Sequence, residues 1–307
     1  LAAYTGFPLS RQLLRERLAD GPIRLVEMDP GHPLEAQVGS VEALIPSMTP
    51  IAAALMDAAP RLRLIVQFGA GLEGVDQEAA RARGIAVRNA PGLNAEAVAE
   101  HVAFLMLALA RRLPEHARSF ASRVIGSPPG RELAGKTLGI VGLGASGRAL
   151  ARLARAFGMR VIAVRRSPGA SDPDAEWLGG PGDLDALLAR SDVVSLLAPL
   201  DQSTRGLIDA RRLALMKPSA FLINAGRGGL VDRAALVEAL ASRRIAGAGL
   251  DVFWDEPPDP ADPLLAMDNL VATPHVAGVT VEALGRIADR VVEMLREHLG
   301  PAEGPTA

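Results

Sequence analysis

Three residues late in this chain could together do acid–base chemistry on an anion. Arg227 lies in Asn224-Ala225-Gly226-Arg227-Gly228-Gly229, directly after an apolar run. Glu256 lies in Asp255-Glu256-Pro257, just past Leu250-Asp251-Val252-Phe253. His275 lies in Thr273-Pro274-His275, after Leu270-Val271-Ala272. An arginine offers paired donors to a carboxylate. A histidine moves protons near neutral pH, and a carboxylate beside it favours the imidazolium. Each residue alone has a plainer reading: a surface arginine, a solvated acidic turn, a satisfied structural histidine. Together they stand out because each follows the end of an expected parallel strand. That edge is where open α/β sheets bind ligands.

A second constellation precedes them. Gly142-Leu143-Gly144-Ala145-Ser146-Gly147 is led by an apolar run, 138–141, and followed by a helical pattern and a further apolar run, 161–164. Strand, glycine turn, helix, strand is the dinucleotide-binding unit. In it Gly142 permits the tight turn, Gly144 lets backbone approach a pyrophosphate, and Gly147 lets helix and strand pack closely. The pyrophosphate would sit on the helix N-terminus, where unpaired N–H groups and the dipole favour an anion. Outside this context the same glycines would mark only an ordinary βα turn.

An acid ending the second strand would bond the adenine ribose 2′-OH and favour NAD. Here the strand runs out as Val164-Arg165-Arg166-Ser167. Two guanidiniums and a hydroxyl suit a 2′-phosphate, which an acid would repel. The alternative is two solvated surface arginines.

The elements that must position these groups alternate along the chain. Expected strands are 23–28, 62–68, 85–88, 137–141, 160–164, 193–197, 220–224 and 247–252, with the first residues of the chain a further candidate. Expected helices are 9–19, 77–83, 94–112, 148–157, 184–190, 233–242 and 281–298. Alternation of this kind implies parallel sheets with helices on both faces. Arg123 to Arg131 and Asp255 to Pro263 read as loops, and residues 300–307 as a frayed tail.

Composition narrows the function classes. The 307 residues are 49% hydrophobic and 22% charged, which is ordinary for a globular protein and implies about two domains. The net charge is −2 and no basic run carries interleaved aromatics, so nucleic acid is a poor partner. There is no cysteine, which excludes disulfides, thiolate metal sites and a cysteine nucleophile, and fits a reducing cytosol. The longest apolar stretch, Val102 to Ala110, is too short to span a bilayer and reads as a buried helix. His32, His101, His116 and His298 lack metal-ligand spacing, so no metal is expected, and they read as structural or exposed.

Taken jointly, the motifs resemble the D-isomer-specific 2-hydroxyacid dehydrogenase family. The resemblance rests on the stretches from Ile223 to Asp232, Ala248 to Phe253 with Glu256-Pro257, and Thr273 to Gly278. Gly69 to Asp76, Asn89-Ala90-Pro91-Gly92 and Ala99-Glu100-His101 extend it over most of the chain. It implies two Rossmann-like α/β domains with doubly wound parallel sheets. A dinucleotide-binding domain, 94–278, would be inserted into a split substrate domain, 1–93 and 279–307, with the active site in the cleft between them.

The resemblance also implies roles. Arg227 would hold the substrate carboxylate and polarise the carbonyl. His275 would be the acid in reduction and the base in oxidation, with Glu256 its charge partner. Backbone N–H groups at Ala70 and Gly71 would cradle the carboxylate. Asp251 would reach the nicotinamide carboxamide, and Pro199, Ala225 and Gly226 would line the cofactor site. The chain departs from the family at Arg165, where an acid is expected, at Ala145, often Arg or Lys, and at Leu197, often His. The implied activity is reduction of a small 2-ketoacid of the glyoxylate or hydroxypyruvate class to a D-2-hydroxy acid, with NADP(H) preferred and NAD(H) possible. Alternatives are an NAD-linked phosphoglycerate or phosphite dehydrogenase-like enzyme and a nucleotide-sensing corepressor-like protein. A homodimer is implied, with the loop around 123–133 as an arm.

Overall fold

The computed structural model describes residues 1–29, 31–169 and 171–299. The chain divides into two compact units, Leu1–Asn94 with 279–299, and Ala95–Gly278. The second is a continuous insertion between the two pieces of the first. The expected tail at 300–307 lies outside the described residues.

The first unit holds a five-stranded parallel sheet of β1 (Ala2–Tyr4), β2 (Leu25–Glu27), β3 (Ala43–Ile45), β4 (Leu64–Val66) and β5 (Ala86–Arg88), in the order β2-β1-β3-β4-β5. One apolar cluster packs helices Pro8–Leu18 and Val281–Leu299 on one face, through Leu14, Leu18, Leu284 and Val291. Another packs helices Ala53–Asp57 and Gln77–Ala82 on the other, through Leu55, Met56 and Ala80.

The second unit holds seven parallel strands: β6 (Thr137–Val141), β7 (Arg160–Val164), β8 (Trp177–Gly179), β9 (Val193–Leu196), β10 (Phe221–Asn224), β11 (Gly247–Leu250) and β12 (Leu270–Ala272). Their order is β12-β11-β10-β9-β6-β7-β8. The strands β6, β9 and β10 are buried along their whole length, as their continuous apolar runs require. Helices Ala95–Ala110 and Ala145–Ala156 cover one face, and Leu184–Arg190, Ala210–Leu215 and Arg233–Ala241 the other. Strand order reverses between β6 and β9, and such a switch point opens a ligand crevice at the carboxyl edge.

Several elements differ from expectation. The helix expected over 94–112 runs Ala95–Ala110; Arg112 is left-handed at φ 53°, and a second helix occupies Leu113–Ala121. Pro114 explains the break, since its ring clashes with the carbonyl four residues back, at Ala110, and it offers no N–H to the previous turn. The strands expected over 23–28 and 62–68 are only three residues each, Leu25–Glu27 and Leu64–Val66. Ile23, Leu62 and Phe68, at the outer ends of those apolar runs, are buried without joining the strands. Strands β3 and β8 and the helices Ala53–Asp57 and Ala210–Leu215 were not expected; each is short, with no sustained period of its own. Among the described residues, no helix is long and apolar enough to cross a membrane.

Candidate active site

The three chemical side chains lie past the ends of adjacent strands β10, β11 and β12. Asn224, the last residue of β10 and 1% exposed, builds the first turn. Its Nδ2 donates to Arg227 O at 2.9 Å, and its Oδ1 accepts from Gly226 N at 3.1 Å. This closes the backbone loop that presents Arg227, whose Nη1 donates to Gly226 O at 2.8 Å. Gly228 is required by close packing, because a Cβ there would stand 2.1 Å from Phe253 O. The turn carrying Arg227 therefore presses on the backbone that leads to Glu256.

Glu256 and His275 are joined. The His275 Nδ1–Glu256 Oε2 distance is 2.7 Å, and Glu256 Oε1 accepts the Phe253 N–H at 2.9 Å. Burial pushes the Glu256 carboxyl up. The His275 hydrogen bond, the Phe253 N–H and the charges of His275 and Arg227 outweigh it and hold the group below the usual carboxylate range. The Nδ1 contact leaves Nε2 as the ring nitrogen able to face a reactant.

The backbone at His275 is left-handed, at φ 54°, which a side-chain-bearing residue rarely adopts without support. Asp251 supplies the support. Its backbone O accepts His275 N at 2.8 Å. Its Oδ1 accepts Val276 N at 2.9 Å and Thr273 Oγ1 at 2.7 Å, and its Oδ2 accepts Ala277 N at 2.8 Å. His101 stands behind, with Nε2 2.8 Å from Thr273 Oγ1 and 3.4 Å from Asp251 Oδ1. Burial pushes the Asp251 carboxyl up, but His101, Thr273 and the two N–H groups hold it below its ordinary value. In the sequence His101 reads only as structural or exposed. Its partners, Thr273 and Asp251, lie far along the chain, so no local spacing marked it.

The glycine turn meets the fit that a dinucleotide pyrophosphate requires. Gly142 has φ 104°, and a Cβ there would lie 2.6 Å from Ala198 N, so the turns after β6 and β9 touch at the switch point. A Cβ on Gly147 would lie 2.5 Å from Gly142 O, whereas around Gly144 the space is open. The first helical bond is Arg148 N to Gly144 O at 2.9 Å, leaving the N–H groups of Ala145, Ser146 and Gly147 outside the helical ladder. Pro199 follows β9, with its O accepting Thr204 Oγ1 at 2.8 Å. Ala225 and Gly226 follow β10.

The arginines after β7 part company. Arg165 approaches the buried carboxylate of Asp172, with Nη1 at 3.7 Å from Oδ2. Arg166 instead pairs with Asp201 in the loop after β9. Ser203 and Arg166 bring the Asp201 carboxyl down to about 2. Ser167 is exposed beside them. In the other unit, Ala70 and Gly71 follow β4, with Ala70 O accepting Asn89 Nδ2 at 2.7 Å.

A doubly wound sheet with a glycine turn at its switch point, and an arginine, a carboxylate and a histidine past neighbouring strands, defines a nucleotide-dependent oxidoreductase. The sequence model of the D-isomer specific 2-hydroxyacid dehydrogenase NAD binding domain matches residues 103–277, and the chain belongs to that family. It is 39% identical over 264 residues to a hydroxypyruvate reductase of Thermotoga maritima, covering 84% of each chain. It is 41% identical over 268 residues to a D-3-phosphoglycerate dehydrogenase of Archaeoglobus fulgidus, covering 85% of this chain and 50% of that protein. Its fold matches the NADPH-dependent glyoxylate/hydroxypyruvate reductase of Sinorhizobium meliloti in complex with NADP and malonate. That match has a TM-score of 0.85 and 32% identity, covering 100% of this chain and 96% of the other. The enzyme is thus an NAD(P)-dependent D-2-hydroxyacid dehydrogenase by class, and its cofactor is a nicotinamide dinucleotide.

The Asp251 network has a measurable consequence. A carboxyl depressed in the folded state stabilises the protein above its unfolded pKa, and that contribution is lost as pH falls through the folded value. Asp251→Asn should cost about 1–3 kcal/mol near neutral pH, because one of two acceptor oxygens becomes a donor facing N–H or O–H groups. Urea titration should show the gap to wild type shrinking on acidification. An equal gap at neutral and strongly acidic pH would contradict the role of the charge.

Proposed function

We infer that the enzyme reduces a small 2-ketoacid of the glyoxylate or hydroxypyruvate class to a D-2-hydroxy acid, with NADPH preferred. The observation that carries this reading is the 2.7 Å His275–Glu256 pair, past a strand adjacent to the one that precedes Glu256. A histidine fixed through Nδ1 presents Nε2 as a proton donor of set direction. The hydroxypyruvate reductase of Thermotoga maritima and the reductase of Sinorhizobium meliloti support the substrate class.

A nicotinamide dinucleotide held there would supply the hydride for the reduction. The chain's own residues do the rest. Arg227 pairs with the substrate carboxylate and draws charge from the carbonyl. His275 gives its Nε2 proton to the carbonyl oxygen in reduction and takes it back in oxidation. Glu256 orients the ring and balances the imidazolium charge. The N–H groups of Ala145, Ser146 and Gly147 hold the pyrophosphate. Pro199, Ala225 and Gly226 line the cofactor crevice. Asp251 Oδ2 accepts a hydrogen bond from Ala277 N, and its second lone pair suits the carboxamide.

Replacing His275 with Ala should lower kcat for ketoacid reduction by about two to four powers of ten, the range for a lost general acid. Steady-state turnover near the wild-type value would refute the assignment. Arg227→Lys keeps the charge but not the fork. It should raise KM and lower kcat together while calorimetric NADPH affinity stays within about twofold, since only the substrate carboxylate loses a paired contact.

The preference for NADPH rests on Arg165, placed after β7 where an acid would mark NAD. A charge-assisted bond to the 2′-phosphate is worth about 1.5–3 kcal/mol, or roughly one to two powers of ten. Arg165→Asp should reverse the ratio of kcat/KM between NADPH and NADH. Equal use of both cofactors by wild type, unchanged in the variant, would favour the NAD-linked alternative.

A homodimer formed through the second unit completes the reading. Phe104, Leu107, Leu113, Phe120, Val124 and Ile125 are exposed, with Phe120 at 87% and Ile125 at 97%. A run of large exposed apolar side chains of this kind marks an interaction face. Light scattering should give twice the chain mass for wild type and a monomer for the double variant Phe120→Asp with Ile125→Asp; a wild-type monomer would contradict it.

A further inference from the structure

Asp172 is a buried carboxylate at the β7 end of the cofactor crevice. Its side chain is 4% exposed. Arg148, on the helix that the glycine turn opens, donates to Asp172 Oδ2 from Nε at 3.2 Å and from Nη2 at 2.8 Å. Arg165 brings Nη1 to 3.7 Å from the same oxygen. Asp172 Oδ1 accepts the Asp174 N–H at 3.2 Å, and Asp172 bridges to Ala175, so the turn that carries the carboxylate is itself tied down. Burial pushes the carboxyl up, but the Arg148 hydrogen bonds, the Asp174 N–H and both guanidinium charges hold it below its usual range.

Two guanidiniums in one place repel each other, and a carboxylate between them removes that obstacle. The charges sum to two cations and one anion, leaving a net positive group. Both arginine side chains keep solvent-facing surface, Arg148 at 38% and Arg165 at 26%. Arg165 Nε is buried without a hydrogen-bond partner among the described residues, so this guanidinium is held by charge more than by matched acceptors. It is the solvent-facing surface of these two cations, not the buried Nε, that is open to an anionic ligand. Arg166 does not share the arrangement, since Asp201 engages it.

We propose that Asp172 is the positioning residue of a 2′-phosphate subsite, gathering Arg148 and Arg165 so that one phosphate monoester is gripped by both. Arg148 thereby becomes a cofactor ligand that the glycine motif did not reveal. The proposal rests on the reading of Arg165 as a 2′-phosphate contact.

Charge and positioning predict opposite signs for one substitution. Asp172→Asn removes a negative charge beside the phosphate, so charge alone would tighten NADP⁺ binding. Positioning predicts weakening, because the arginines lose the group that aligns them. The experiment is titration calorimetry of wild type, Asp172→Asn, Arg148→Lys and Arg165→Ala with NADP⁺ and NAD⁺, with no substrate present. The expected result is a loss of about tenfold in NADP⁺ affinity for Asp172→Asn and for Arg165→Ala, in the range of a lost charge-assisted contact, with NAD⁺ affinity unchanged. Arg148→Lys, which keeps the charge and loses the fork, should lose about threefold or more on the same grounds. Unchanged or tighter NADP⁺ binding by Asp172→Asn, while Arg165→Ala weakens it, overturns the proposal and leaves the NADPH reading standing. Equal weakening of NADP⁺ and NAD⁺ by Asp172→Asn makes the residue a scaffold only and overturns it too. Wild type that binds both cofactors equally overturns the NADPH reading and this proposal together.

Discussion

Asp251 carries its charge at the end of β11, where its side chain is 1% exposed. A buried carboxylate has to be met by donors, or it costs several kcal/mol. Here most of the donors belong to one short loop: the Thr273 hydroxyl and the N–H groups of Val276 and Ala277. That loop is the one bearing His275. Satisfying the carboxylate and holding the histidine backbone at φ 54° are therefore one arrangement. Glu256 then needs only to reach His275 Nδ1 from the neighbouring strand end, and the Phe253 N–H fixes it there.

The same economy appears at the cofactor end. The parallel order reverses between β6 and β9, so the turns after these strands face one crevice. Gly142 lets them touch, and Gly147 lets the following helix close on the turn. The helix that starts there supplies uncommitted N–H groups at its first turn and Arg148 one residue later. Arg148 reaches Asp172 in the stretch between β7 and β8. Arg148 from that helix and Arg165 from the end of β7 thus meet at one buried carboxylate, as the donors of the catalytic loop meet at another.

What was legible in the sequence follows from the range of the interactions. The strands β6 and β7 form over 137–141 and 160–164, where continuous apolar runs end in glycine or charge. The helix after the glycine turn starts at Ala145, three residues before the expected 148, because the turn residues themselves enter the first helical turn. The three-residue strands β3 and β8 carry too little pattern to be found; pairing with β1, β4 and β7 makes them strands. Arg227, Glu256 and His275 could be singled out because each follows a recognisable strand end. His101 and Asp172 could not. Thr273 lies 172 positions from His101, and Arg148 lies 24 positions from Asp172 with a strand between, so only the folded chain brings them together.

The central claim is that Glu256 fixes the His275 ring through Nδ1, so that Nε2 faces the reactant. The kcat for ketoacid reduction, compared between wild type, Glu256→Gln and Glu256→Ala, tests it most directly. Glu256→Ala leaves Nδ1 without its acceptor and should lower kcat by about tenfold or more, whereas Glu256→Gln keeps an amide oxygen for the Nδ1–H and should lose less. Wild-type kcat in Glu256→Ala would contradict the account.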